Sequence, residues 1–198
     1  MLIHEDMLLY KNCKEHKPSI KQVRKLEEGS NETRISLYSH AGTHVDAPLH
    51  MLADGYSVEN IPVHQMYGKC YLLDMTHIKD CIRLEDIKMY SFEKGTFVFL
   101  KTINSEDAAY NPQHIYLSAK AAKYLVEQQI QVIGIDSLSI ERNNKNHDTH
   151  NILLGNNMLI VEGLLLKNVP AGEYMAVVAP IPIVGGDGSP ARVLLIKG

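Results

Sequence analysis

The chain has 198 residues, 45% of them apolar and 22% charged. At this length roughly 70% of the unfolded surface can be buried, so disordered, collagen-like and disulfide-stapled classes are excluded. Twenty Lys and Arg against 23 Asp and Glu give a net charge of −3 with no long run of either sign, which is not the footprint of a nucleic-acid binder. Cys13, Cys70 and Cys81 form no CxxC pair and leave an odd one over, which fits a reducing compartment, so a cytoplasmic location is expected. The N-terminus turns acidic at Glu5 and Asp6, and no later apolar run approaches the ~20 residues of a membrane span, so neither a signal peptide nor a membrane helix is expected.

No internal repeat, low-complexity tract or Pro/Gly/Ser linker divides the chain, and residues 1–198 are read as one domain. Residues 33–38 alternate with the period of a half-buried strand, and residues 70–74 and 96–100 are short β-rich or apolar runs. A short helix is expected over residues 84–90. A longer one is expected over residues 118–129, capped by Ser118 and burying Ala121, Ala122 and Leu125. Residues 132–135 read as a buried strand, and residues 137–151 as a long polar connection that ends in His147 and His150. Strands over residues 158–166, 174–179 and 192–196, with a turn at residues 185–190, complete a mixed α/β fold richer in strand than in helix.

The densest chemistry lies between Ser39 and His50, where His40, His44, Asp46 and His50 fall within 11 positions. Random placement of ten histidines would leave about half of one in such a window. Gly42, Thr43, Val45 and Pro48 weaken a helix here, so the i, i+4 spacing of His40 and His44 is not a helical metal motif. In a fully extended chain these two would lie ~13 Å apart, too far for one ion. The segment must therefore bend, and Gly42 permits a sharp bend while Pro48 stiffens the exit, giving a strand that ends in a tight ligand loop. Neutral imidazoles and a carboxylate suit zinc or manganese without a thiolate, and the two oxygens of Asp46 could bridge two ions. The bland alternative is a set of histidines capping turns in a surface loop. Glu162 is embedded in an apolar run and must be paired with a lysine or arginine, protonated, or bound to a metal.

The string His40-x-Gly42-Thr43-His44-x-Asp46-x-Pro48-x-His50 resembles the signature of the metal-dependent cyclase-like hydrolase family, which includes bacterial kynurenine formamidases and isatin hydrolases. His150, twelve residues before Glu162, is similar to that family's second metal-binding segment. The tail from Pro170 through Gly188-Ser189-Pro190-Ala191-Arg192 is similar to its C-terminus, so the likeness spans residues 33–198. The resemblance implies a swivelling β/β/α fold and two divalent ions, zinc or manganese. It implies a homodimer or homotetramer acting on a small molecule, with neither nucleic acid nor membrane as partner. It assigns His40, His44 and Asp46 to one metal, Asp46, Glu162 and His150 to a second, and acid/base catalysis to His50. The implied reaction is hydrolysis of a non-peptide C–N bond in a small amide, foremost an aryl formamide such as N-formylkynurenine in tryptophan catabolism. Kynurenine formamidases of the family generally place a tryptophan in the aromatic pocket; this chain has none, and Tyr10 is expected there. The basic stretch from Lys11 to Lys25 could attract an acidic substrate group or be a solvated face. A cyclase or lactam hydrolase, a non-catalytic metal-binding protein and a purely structural protein are the competing readings.

Overall fold

A computed structural model describes residues 1–107 and 109–197. In chain order the elements are β1 (Ser19–Arg24), β2 (Glu32–Ser36), β3 (His44–Asp46), β4 (Tyr67–Asp74), β5 (Cys81–Ile82), α1 (Leu84–Ile87), β6 (Phe97–Lys101), β7 (Tyr116–Leu117), α2 (Ala119–Glu127), β8 (Val132–Ile135), α3 (Asp148–Leu154), β9 (Leu159–Glu162), β10 (Gly172–Pro180) and β11 (Gly188–Ile196). Seven of these strands close into a barrel in the order β10-β11-β3-β9-β8-β6-β4, with β4 returning to β10. Neighbours from β4 through β6 and β8 to β9 are parallel, whereas β9–β3, β3–β11, β11–β10 and β10–β4 are antiparallel. The result is a mixed α/β fold.

Alternation along the strands divides the apolar side chains into two sets. Val45, Leu72, Phe97, Phe99, Val161 and Ala176 pack together in the barrel interior. Val98, Leu100, Ile133, Ile135 and Ile160 face outward and are covered by Ala121, Ala122 and Leu125 of α2 and by Leu153 and Leu154 of α3. Each such fully buried Leu, Ile or Phe contributes roughly 1.5–3 kcal/mol. Helix α2 starts where the sequence indicates, because the Ser118 hydroxyl accepts the Ala121 amide (3.2 Å).

Several local expectations change: the helix expected over residues 84–90 ends at Ile87, and the strand expected over residues 158–166 ends at Glu162. Strand β2 is exposed along its whole length, because it pairs only with β1 in a separate ribbon that no other described element covers. The expected turn over residues 185–190 stops short of Gly188, since Gly188, Ser189 and Pro190 pair with Asp46, Val45 and His44. Pro190 is tolerated there because the next ladder bond runs from the Ala191 amide to the Thr43 carbonyl (2.9 Å). The polar connection after Ser137 gives way to α3 at Asp148, so His150 lies on a helix. In the histidine cluster the bend precedes the strand: Gly42 takes φ +67°, β3 follows, and Pro48–His50 forms a 3-10 turn.

Gly163 fixes the exit from β9. Its φ is +65°, and a Cβ there would collide with the Gly42 carbonyl oxygen, so the two bends pack backbone to backbone. Thr43 Oγ1 seals the contact by donating to the Gly163 carbonyl (2.6 Å). We expect Gly163→Ala to lower unfolding stability by about 2 kcal/mol or more in denaturant titrations, from left-handed strain plus overlap; a loss below ~0.5 kcal/mol would show that the bends separate freely.

Candidate metal centre

The pairing of β3 with β9 sets His44 opposite Glu162 and Asp46 opposite Ile160. Residues two apart on a strand share a face, as do residues directly opposite across a ladder, so His44, Asp46 and Glu162 all emerge on the outer side of the barrel wall. Val45 and Val161 point inward. Helix α3 brings His150 over this face, and the bend at Gly42 folds His40 back toward it.

His40 Nδ1 lies 2.8 Å and His44 Nε2 3.4 Å from Asp46 Oδ1. His150 Nε2 lies 3.8 Å from Asp46 Oδ2 and 3.3 Å from Glu162 Oε1, and His44 Nε2 lies 3.4 Å from Glu162 Oε2. The opposite ring nitrogens are anchored: His44 Nδ1 donates to the Gly42 carbonyl (2.9 Å), His150 Nδ1 to Glu141 Oε2 (2.7 Å) and His40 Nε2 to Asp187 Oδ2 (2.9 Å). Asp46 is 0% exposed and Glu162 4%. Among the described residues no lysine or arginine forms an ion pair with either carboxylate.

Buried His44 Nε2 and Asp46 Oδ2 have no hydrogen-bond partner, although both aim into the cluster. Orphaned buried polar atoms are costly unless something satisfies them. A divalent cation does so for an imidazole and a carboxylate together, and the N/O donor set suits zinc or manganese chemistry. Ligand atoms of His44, Asp46 and Glu162 lie within 4.8 Å of one another, as do those of His40, Asp46 and His50. His50 therefore stands at the edge of the cluster, a quarter exposed, with Nδ1 donating to Asp187 Oδ2 (3.3 Å).

The charges reinforce the arrangement. Burial alone would push His44 and His150 down, but Asp46 and Glu162 around His44, and Glu141 and Glu162 around His150, hold each up at about 10. Burial works to raise Asp46, yet His40 and His44 keep it well below the usual carboxylate range. Burial and neighbouring Asp46 both act to raise Glu162, and His150 and His44 outweigh them. Asp187 resists its partial burial through His40, Ser39 and His50 and falls to about 2.

His40, His44, His50, Glu141, His150 and Glu162 line a cavity of about 800 Å³. Tyr10 forms part of its wall, with its ring edge-on to Tyr110 at 5.4 Å, and Tyr38, Met51 and Leu138 add apolar surface. From the basic N-terminal stretch, Lys11 and His16 line the cavity, whereas Lys17 pairs with Asp6 and Arg24 with Glu32. All seven residues singled out from the sequence thus converge on one cavity or its base. Glu141 and Asp187 were not foreseen. One lay in a stretch read as a loop and the other in a turn, and only the fold reveals their partners.

A buried, lysine-free cluster of imidazoles and carboxylates opening on a cavity belongs to the class of metal-dependent hydrolases. The chain belongs to the Cyclase family, whose model ("Putative cyclase") matches residues 1–142, including the whole of the His40 to His50 motif. It is 32% identical over 158 residues to a kynurenine formamidase of Sphingopyxis alaskensis, covering 79% of this chain and 76% of that protein. A solved structure described as a "potential metal-dependent hydrolase with cyclase activity" superposes with a TM-score of 0.92 at 42% identity, covering 98% of this chain and 94% of the other. Isatin hydrolase A from Labrenzia aggregata shares the fold, with a TM-score of 0.87 at 20% identity over 100% of this chain and 92% of its own. The protein is accordingly a hydrolase that binds a divalent metal. No helix among the described residues is long and apolar enough to cross a membrane.

The imidazole shifts set a pH dependence. A pKa raised from 6.5 to about 10 gives stability that is complete below pH 6.5 and is lost as pH rises toward 10. Chelator-treated protein should therefore lose thermal stability across that window. Metal-saturated protein should hold its Tm there if His44 and His150 are ligands, because a ligating imidazole would already lack the second proton. Parallel melting curves for the two forms would remove these histidines from the metal site.

Proposed function

We propose that the protein is a two-metal amidohydrolase of small aryl formamides, with N-formylkynurenine as the leading substrate. One observation carries this reading: each of the two buried carboxylates divides its oxygens between different imidazoles. Asp46 turns Oδ1 to His40 and His44 and Oδ2 to His150, while Glu162 turns Oε2 to His44 and Oε1 to His150. Such sharing suits one ion held by His40, His44 and Asp46 and a second held by Asp46, Glu162 and His150. Zinc and manganese both fit the donors. Four ionised carboxylates (Asp46, Glu141, Glu162 and Asp187) also match the charge of two divalent cations.

Bound there, such cations supply Lewis-acid polarisation of a carbonyl and acidify water near neutral pH. The chain's own groups do the rest. Asp187, ionised and accepting from His50 Nδ1, orients that ring and leaves Nε2 to exchange a proton with the departing nitrogen. Water adds to the formyl carbon, the C–N bond breaks, and formate and an aryl amine leave, with His50 delivering the proton to the amine. Tyr10 and Tyr38 offer aromatic faces in place of a tryptophan, and about 800 Å³ is ample for one aromatic amide. The formamidase name of the Sphingopyxis relative supports this substrate class. A homodimer or homotetramer completes the reading, supported by exposed Ile20 and Ile35 paired on the uncovered ribbon, and a cytoplasmic location is supported by the three free cysteines Cys13, Cys70 and Cys81.

Elemental analysis of protein purified without chelator should give two metals per chain, with turnover of N-formylkynurenine. Asp46→Asn should remove both metal and activity. His50→Ala should keep the metal and lower kcat by roughly 10²–10⁴-fold. Full metal with no turnover of any formamide would overturn the substrate; absence of metal under every loading condition would overturn the site.

A further inference from the structure

Glu141 makes no contact with the cavity's shared carboxylates, yet it is 4% exposed, and a buried carboxylate needs its charge matched. Both of its oxygens are committed. Oε1 accepts the Thr149 amide (3.2 Å) and Oε2 accepts His150 Nδ1–H (2.7 Å). His147 Nδ1 stands 3.6 Å from the same Oε2 on an exposed side chain. Glu141 thus grips two consecutive residues of α3 from a segment that also holds Glu162, whose Oε1 accepts the Ile140 amide (2.7 Å).

The two nitrogens of an imidazole point away from each other. A carboxylate held on Nδ1–H therefore decides which lone pair faces the carboxylates Asp46 and Glu162: it is that of Nε2. His44 solves the same problem with a neutral acceptor, the Gly42 carbonyl (2.9 Å). A charged acceptor makes the opposite nitrogen a better donor than a carbonyl does. The two inner imidazoles are therefore unequal ligands, and the difference lies in Glu141.

We propose that Glu141 is a positioning residue that fixes the tautomer and strengthens the donor power of His150, so that the ion on the His150 side depends on Glu141 while the ion on the His44 side does not. This rests on the assignment of His150 as a metal ligand. The same geometry has a rival meaning, because ligand atoms of Glu141, His147 and His150 lie within 4.8 Å of one another and could themselves surround a cation. The two meanings differ in stoichiometry.

The test is stepwise metal affinity, by competition against a chromogenic chelator, for the wild-type protein, Glu141→Gln and Glu141→Ala. In Glu141→Ala one of two ions should bind 10–100-fold more weakly and the other as in the wild type. Glu141→Gln keeps an oxygen acceptor for Nδ1–H and should recover part of that loss. It also guards against misfolding of the alanine variant. In ¹⁵N-histidine spectra of metal-saturated protein, the hydrogen-bonded Nδ1 proton of His150 should move upfield in Glu141→Gln. Equal weakening of both ions, or unchanged affinity in both variants, would overturn the proposal. So would a third wild-type ion that disappears alone when Glu141 is lost. Failure of the wild-type protein to bind metal would instead defeat the two-metal reading on which it rests.

Discussion

The structure depends on the burial of Asp46 and Glu162 side by side with no lysine or arginine among the described residues to meet them. Desolvating one carboxylate costs several kcal/mol even after relaxation, and two on the same face repel one another as well. Without metal the cost is offset by protons, which is why His44 and His150 rest at about 10. On the proposed two-metal reading, cation uptake would exchange imidazolium protons for metal at fixed carboxylates. That exchange needs little movement of the backbone, because the acidic groups are already where the cation would be held.

The barrel makes this burial possible by using one alternation for two purposes. β3 is only three residues long, yet it joins β11 to β9 and closes the wall. Its middle residue, Val45, fills the apolar interior, and its outer pair, His44 and Asp46, necessarily faces the other side. The ladder to β9 does the same with Val161 and Glu162. A one-residue slip of register would send the carboxylates into the apolar interior and the valines to the outer face, so the interior packing itself enforces the arrangement of His44, Asp46 and Glu162. The close contact of Gly42 with Gly163 locks the register at its end.

What the sequence reveals follows from the range of the forces involved. The density of histidine and aspartate between His40 and His50, the need for a bend at Gly42 and the Ser118-capped helix are local properties, and they survive in the structure. Glu162 stood out as a charge in an apolar run, and the family resemblance grouped it with Asp46 and His150, but its contact with His44 carries no local signal, because His44 lies across a ladder 118 positions away. α3 was illegible for another reason. Its seven residues, Asp148 to Leu154, are polar in the first half and carry no repeating apolar period. The helix is held by burial of Leu153 and Leu154 against α2 and the barrel rather than by intrinsic propensity. Glu141 and Asp187 show the same limit for single side chains: Asp187 meets His50 from 137 positions away, and nothing in the surrounding Gly-rich turn marks it as more than a turn residue.

Asp187 also ties His40 of the buried cluster to His50 at its edge. One of its oxygens, Oδ2, accepts from both His40 Nε2 (2.9 Å) and His50 Nδ1 (3.3 Å), and the two rings lie 4.2 Å apart. His40 faces Asp46 with its other nitrogen, whereas His50 faces the cavity. A single carboxylate therefore orients a ring of the metal cluster and the ring proposed to carry the proton, and neither can rotate without disturbing a bond that the other shares. Proton delivery within 3 Å of a reacting nitrogen tolerates little error in angle or distance. By anchoring both rings to one oxygen, the fold makes the spacing of His40 and His50 a property of the β3 segment and the 187 turn.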